Sequence, residues 1–138
     1  MTKTFKAQYK DKDHEYDVST RPLWDCCLEL LQHEELIHAF QWDAQRLFKF
    51  DGTRFERFID EPWTADDWWN IQSKLPDGAS PIFLIIFADK TRLSSFGTAK
   101  GYPVVARVAN LPVDIRNTNG VGGGQLVGWL PIVCTSKF

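Results

Sequence analysis

The side chains of this chain best suited to chemistry are its carboxylates, and Asp89 is the one whose setting needs explaining. It ends an apolar run, Ile82 to Ala88, and opens the segment Asp89-Lys90-Thr91. A carboxylate at a strand end serves either as a metal ligand or as a turn residue accepting a nearby backbone N–H. Two-metal phosphoryl transfer needs several carboxylates converging from different elements on ions about 4 Å apart. Beyond Asp89 the sequence offers one further acidic residue, Asp114, and no Glu. The residues after Asp89 do not complete such a site, and on spacing alone the turn reading is favoured.

Other reactive residue types fit structural uses. His33 and His38 are five residues apart, off the four-residue spacing that puts two ligands on one helical face, and His14 sits among charges. Cys26, Cys27 and Cys134 lack metal-finger spacing and make no disulfide framework, as expected of a reduced, intracellular protein. Adjacent helical cysteines point about 100° apart, so no Cys26–Cys27 bridge is expected, and Cys27 reads as a core residue. The stretch "NTNGVGGGQL" lacks the Gly-Lys-Ser/Thr ending of a phosphate loop, and a strand comes after it rather than a helix. It reads as a flexible connection, with positive φ at several of Gly120, Gly122, Gly123 and Gly124.

Composition narrows the function classes. The 138 residues suffice for one domain with a real core; 43% are hydrophobic and 25% charged, the profile of a soluble globular protein. The net charge of -2, with no basic run, gives no electrostatic case for nucleic-acid binding. The start, "MTKTFKAQYKDKD", has no apolar signal-peptide core. The longest apolar run falls well short of the ~20 residues that span a bilayer, so no membrane partner is expected.

The elements that must position Asp89 emerge from periodicity and predict an α+β fold. Residues 1–18 read as a polar arm, and 19–138 as one domain, with helices and a hairpin over 19–80 and three strands over 81–138. Pro22 to Gln32 is a helix, capped by Ser19 or Thr20, with Leu23, Cys27, Leu30 and Leu31 on one face. "HEELIHAF" continues as a second short helix. "QRLFKFDGTRFERF" is a β-hairpin turning on the two residues Asp51-Gly52, with Phe48 opposite Phe55. "TADDWWNIQSKL" is a helix capped by Thr64, with Asp66 and Asp67 in its first turn. Trp68 and Trp69 point to different sides of it, for packing or as a base-stacking platform, with packing favoured. Ile82 to Ala88 reads as a strand buried on both faces, succeeded by strands in "GYPVVARVANL" and "QLVGWLPIV". Short linkers make these three an antiparallel meander.

Five ordered motifs carry a family resemblance. They comprise Trp68, Trp69, Gln72, Leu75 and Pro76; then Asp89, Lys90, Thr91 and Leu93; then Tyr102, Pro103 and Val104; then Asn110, Pro112, Ile115 and Arg116; and finally Gly128, Trp129, Leu130 and Pro131. In order and spacing the chain resembles the Plavaka-type transposases of basidiomycete fungi, within the Kyakuja–Dileera–Zisupton group. The likeness covers about 120 of the 138 residues.

The resemblance implies a DDE-type transposase core of ribonuclease-H-like fold, whose first three strands form an antiparallel meander. Asp89 occupies the place of the first catalytic carboxylate, a ligand of Mg²⁺ or Mn²⁺. Trp68, Trp69, Lys90, Thr91, Asn110 and Arg116 are family-motif positions, structural or close to DNA. DNA as partner and the nucleus as location are likewise implied by the resemblance, although "NTNGVGGG" replaces a segment that is basic in many members. The second and third carboxylates of the family lie beyond the third strand. The expectation is therefore a truncated, catalytically incomplete core that binds no ion tightly and leaves a sheet edge open to self-association. The alternatives are a non-catalytic module binding protein or DNA through exposed Trp and Phe, and a transposon relic without function.

Overall fold

The computed structural model describes residues 1–9, 11–93 and 100–131. It is an α+β structure of small antiparallel sheets with four short α-helices among the described residues. No described helix is long and apolar enough to cross a membrane. Two compact units emerge, each discontinuous in sequence. Met1–Glu29, Ile86–Ala106 and the segment from Gln125 form the first; Leu30–Ile85 and Arg107–Gly124 form the second.

The first unit begins with a hairpin where the sequence suggested an irregular polar arm. Strand β1 (Thr2–Tyr9) pairs antiparallel with β2 (Lys12–Ser19), from Thr2 opposite Ser19 to Tyr9 opposite Lys12. The Thr4 hydroxyl donates to Asp17 at 2.7 Å and Lys6 meets Glu15 at 2.9 Å, so cross-strand polar pairs supplement the backbone ladder. In β2, His14, Tyr16 and Val18 are half-buried and alternate with exposed residues. The sequence carries a weak alternation to match, Phe5, Ala7 and Tyr9 in β1 and Tyr16 and Val18 in β2, diluted by the charged residues between them.

Helix α1 (Leu23–Leu31) comes after Pro22 as expected, with Cys26, Cys27 and Leu30 buried and Leu31 half-buried. Burial pushes the Cys26 and Cys27 thiols up, so both are poor nucleophiles. Cys134 lies outside the described residues. Ser19 ends β2 with its hydroxyl 3.1 Å from that of Thr2, and Thr20 bridges Gly128.

The larger sheet is centred on β7 (Lys100–Val108), which pairs with β5 (Leu84–Ala88), β6 (Thr91–Arg92) and β8 (Gln125–Leu130). The β6 and β8 pairings are antiparallel and use different stretches, Lys100–Gly101 for β6 and Tyr102–Ala106 for β8. The expected third strand ends at Leu130; its continuation through Ile132 and Val133 lies outside the described residues. Val104 faces Gly128 and Val105 faces Leu126, so Val127 is the extra residue of a bulge. That bulge sends Val127 into a core with Cys26 and Ala106, flanked by Leu23 and Val104, while its carbonyl accepts the Arg21 N–H at 2.8 Å.

Strand β5 departs from expectation. Ile85, Ile86 and Phe87 are all exposed, so the strand is not buried on both faces. An all-apolar strand needs cover on two sides, and the core around α1 is built on β7 and β8 instead.

Gly101 is fixed by close approach. A Cβ there would sit 2.7 Å from the Trp129 ring and 3.1 Å from Leu93. Gly101→Ala is expected to destabilise the protein by about 1–3 kcal/mol, read as a lower thermal midpoint. A smaller penalty in a Trp129→Leu background would identify the ring as the obstacle.

The second unit contains α2 (Glu34–Ile37), the ribbon of β3 (Leu47–Phe50) and β4 (Phe55–Phe58), a 3-10 turn (Pro62–Thr64), α3 (Asp66–Gln72) and α4 (Val113–Arg116). Its core is aromatic. Trp68 meets Trp63 edge-on at 6.5 Å and stacks on Phe83 at 4.3 Å, with Ala109 buried beside them.

Three local expectations need correction here. The ribbon turns through four residues, because the Asp51 carboxylate accepts the Thr53 and Arg54 N–H groups and the Thr53 hydroxyl. Phe50, not Phe48, therefore faces Phe55, and Phe48 faces Arg57. Thr64 does not cap α3, whose N-cap is Ala65. Its hydroxyl turns back, accepting the Asp60 and Glu61 N–H groups and donating to the Glu61 carbonyl. Lastly, the glycine segment is a packed turn rather than a flexible link. Gly122 alone among its described glycines has positive φ, and a Cβ on it would meet Ile115 at 2.6 Å. A Cβ on Gly123 would meet the Thr118 carbonyl oxygen at 2.2 Å.

Candidate functional site

Asp89 lies just beyond β5, in the turn leading to β6. The Lys90 N–H donates to its Oδ1 at 2.7 Å and the Thr91 hydroxyl donates to its carbonyl oxygen at 3.4 Å. Both are local bonds, and the side chain is exposed. Lys90 places its ammonium 5.8 Å from the centre of the Tyr102 ring, on the neighbouring strand β7. Thr91 itself enters β6 opposite Gly101. Two of the family motifs thus meet at this turn.

A divalent ion makes heavier demands. Mg²⁺ takes oxygen ligands in near-octahedral array and commonly uses one or two carboxylates with waters and substrate phosphates. Among the described residues, no group of three His, Cys, Asp or Glu side chains converges. Asp114 is spent locally, accepting the Ile115 N–H at 3.0 Å in the first turn of α4. One exposed carboxylate with a local partner does not by itself fit a metal centre.

The other motif positions are structural centres of the second unit. Asn110 is fully buried, and its amide ties together three segments. It donates to the carbonyls of Gln41 at 2.9 Å and Pro81 at 3.0 Å, and accepts the Phe83 N–H at 3.1 Å. Its own carbonyl accepts the Gln41 N–H at 2.8 Å. Arg116 is buried as well, donating to Glu61 Oε2 at 2.7 Å and to the Ala109 carbonyl at 3.3 Å. The other oxygen of Glu61 accepts the Val113 N–H at 2.8 Å. Neither residue offers a polar group to DNA in this arrangement.

On α3 the two tryptophans divide as the sequence suggested. Trp68 is buried in the aromatic core, while Trp69 stays partly exposed with the Arg46 guanidinium 4.3 Å over its ring. Gln72 latches the helix to the chain before the ribbon, accepting the Ala44 N–H at 2.6 Å and donating to Asp43 at 2.9 Å. Gly128 owes its place to close passage of the chain, since a Cβ there would lie 3.0 Å from the Ser19 carbonyl oxygen.

Glu61 is the important residue that sequence reading passed over. Its partners lie 52 and 55 residues away, and no local pattern announces them.

A family model described as Plavaka transposase matches residues 1–138, the whole of the chain. No curated protein and no solved structure matches it.

Proposed function

Since this chain belongs to the Plavaka transposase family, we propose that it supplies part of a DDE-type catalytic core of ribonuclease-H-like design, in which Asp89 is the first metal-binding carboxylate. Transposases act on DNA in general, and a divalent metal is usual in the complete enzyme; DNA in the nucleus is the substrate we infer here. The observation that carries the reading is Asp89 itself. It stands exposed at the end of a strand in the principal sheet, and its carboxylate accepts one local hydrogen bond among the described residues. That leaves lone pairs for Mg²⁺ or Mn²⁺.

We further propose that the 138-residue chain is catalytically incomplete. Asp89 is a lone anchor, and two-metal transfer needs further carboxylates around both ions. Incubated with supercoiled plasmid and Mg²⁺ or Mn²⁺, the purified chain is expected to nick no faster than buffer. Metal-dependent nicking abolished by Asp89→Asn would overturn incompleteness and uphold the role of Asp89. Nicking that survives this substitution would refute both.

A further inference from the structure

We propose that Asn119–Gly120 is a self-modifying site, whose spontaneous deamidation turns a neutral amide into a carboxylate and loosens the glycine turn of the second unit. Asparagine is thermolabile because the amide nitrogen of the next residue can attack its side chain, an intramolecular step favoured wherever the two are free to meet. Glycine in that next position leaves the nitrogen unobstructed by a Cβ. The sequence holds four asparagines, and the structure singles out one of them.

At the other three the attacking nitrogen is already engaged. Asn70 lies inside α3, where the Ile71 amide belongs to the helix. Asn110 is fully buried, and the Leu111 N–H donates to the Val108 carbonyl at 3.3 Å. Asn117 Oδ1 accepts from the Arg107 guanidinium at 2.7 Å. The Thr118 N–H after it donates to the Ile115 carbonyl at 3.1 Å, and the branched Thr118 side chain crowds the approach further. Asn119 and Gly120 differ, for both are exposed. Neither the Asn119 side-chain amide nor the Gly120 N–H has a hydrogen-bond partner among the described residues. The Asp-Gly pairs at Asp51 and Asp77 offer a poorer electrophile, a carboxylate in place of an amide, and Asp51 is held by three hydrogen bonds besides.

The reaction needs only water and hydroxide. Once the Gly120 N–H gives its proton to hydroxide, that nitrogen bonds to Asn119 Cγ, the Cγ–Nδ2 bond breaks, and ammonia leaves with a proton from water. Water then opens the cyclic imide at either carbonyl. Opening at Cγ gives aspartate; opening at the backbone carbonyl gives isoaspartate, whose main chain is longer by one methylene. The turn has no slack for that methylene. The carbonyls of Thr118 and Gly120, on either side of Asn119, both lie against Gly123. The Gly123 N–H donates to the Gly120 carbonyl at 3.1 Å, and a Cβ on Gly123 would lie 2.2 Å from the Thr118 oxygen. Lengthening the chain between them must break that bond or move Gly122 off Ile115 and Leu36. The site owes nothing to Asp89 and stands or falls separately from it.

Ageing the purified 138-residue chain at body temperature and mildly alkaline pH tests the proposal, with tryptic peptides read by fragmentation mass spectrometry. Deamidation is expected at least about tenfold faster at Asn119 than at Asn117, the ratio that a barrier difference of about 1.4 kcal/mol gives. Its rate should rise with hydroxide and be comparable in the folded chain and in urea. Labelling by an isoaspartyl methyltransferase should find isoaspartate among the products. Gly120→Ala, whose Cβ meets only Thr118 Oγ1 at 3.8 Å, should slow the reaction about tenfold without lowering the melting temperature of fresh protein. Should that variant misfold, Asn119→Gln gives the same comparison, since its longer side chain closes the ring more slowly. The aged, more acidic fraction from ion exchange should melt below fresh protein, whereas Asn119→Asp, which adds the charge without lengthening the chain, should not. Protection of Asn119 in the folded chain by about tenfold or more over urea, equal rates at Asn117, or an undiminished rate in Gly120→Ala would each overturn the site. An acidic fraction as stable as fresh protein would overturn the loosening.

Discussion

Arg116→Ala is expected to cost about 3–5 kcal/mol of folding stability, the usual penalty for removing one member of a buried ion pair. The side chains of Arg116 and Glu61 are only 8% and 14% exposed, so alanine leaves an anion with little water to replace its partner. It also removes the donor to the Ala109 carbonyl. With a urea m-value of about 2 kcal/mol/M, the midpoint should fall by roughly 2 M. The pair differs from its neighbours in this respect. Arg54–Glu56 and Lys6–Glu15 are exposed, and breaking either should shift the midpoint by about 0.5 M or less. A double change, Arg116→Met with Glu61→Leu, should recover much of the loss, because it removes both charges together. A single Arg116→Ala variant as stable as the wild type would show that the pair is solvated after all.

Asn110→Ala should be nearly as damaging, at about 3–4 kcal/mol. Three partners lose their hydrogen bond at once: the Phe83 N–H and the carbonyls of Gln41 and Pro81. Each buried polar group left unsatisfied costs about 1–3 kcal/mol, with the lower figure suiting those that are only partly buried. Asn110→Asp separates shape from chemistry. It retains the acceptor for Phe83 but loses both donated bonds and brings a carboxylate beside two carbonyl oxygens. Urea unfolding at neutral pH should therefore rank Asp no better than Ala. If Asp matches the wild type, the two donated bonds contribute nothing measurable.

These two residues also show how much is legible in the sequence. Both stand out by motif, yet neither pattern says what they touch, because apart from Ala109 their side-chain partners lie 27 to 69 residues away. Elements with their own local signal are legible: α1 behind Pro22, the ribbon around Asp51-Gly52, α3 with its acidic first turn, and the long strands β7 and β8. The β1–β2 hairpin is less so: Phe5, Ala7 and Tyr9 alternate with Lys6 and Gln8, but no Asn-Gly or Asp-Gly pair marks a turn and the side chains are mostly at the surface. Turn chemistry defeats the register of the ribbon, where the Asp51 carboxylate organises four residues instead of two. Its three hydrogen bonds also hold that carboxyl below the ordinary Asp range. Protonating it removes the preference for the folded turn, so the ribbon should loosen as pH falls through that depressed value and regain its full support above the unfolded one. As for Asp89, its place at the end of a strand is readable, while the catalytic role proposed for it depends on side chains that no pattern in these residues supplies.

The interleaving of the two units has a consequence for how the protein is made. Leu30–Ile85 leaves the ribosome well before Arg107–Gly124, the stretch that brings Asn110 and Arg116. At 5–20 residues per second, the roughly thirty residues from 86 to 116 take about 2–6 s to synthesise. During that interval Trp63 and Trp68 wait without Ala109, and Glu61 waits without its guanidinium. The nascent chain is then a client for chaperones, its aromatic surface open until the last segment of its own unit arrives.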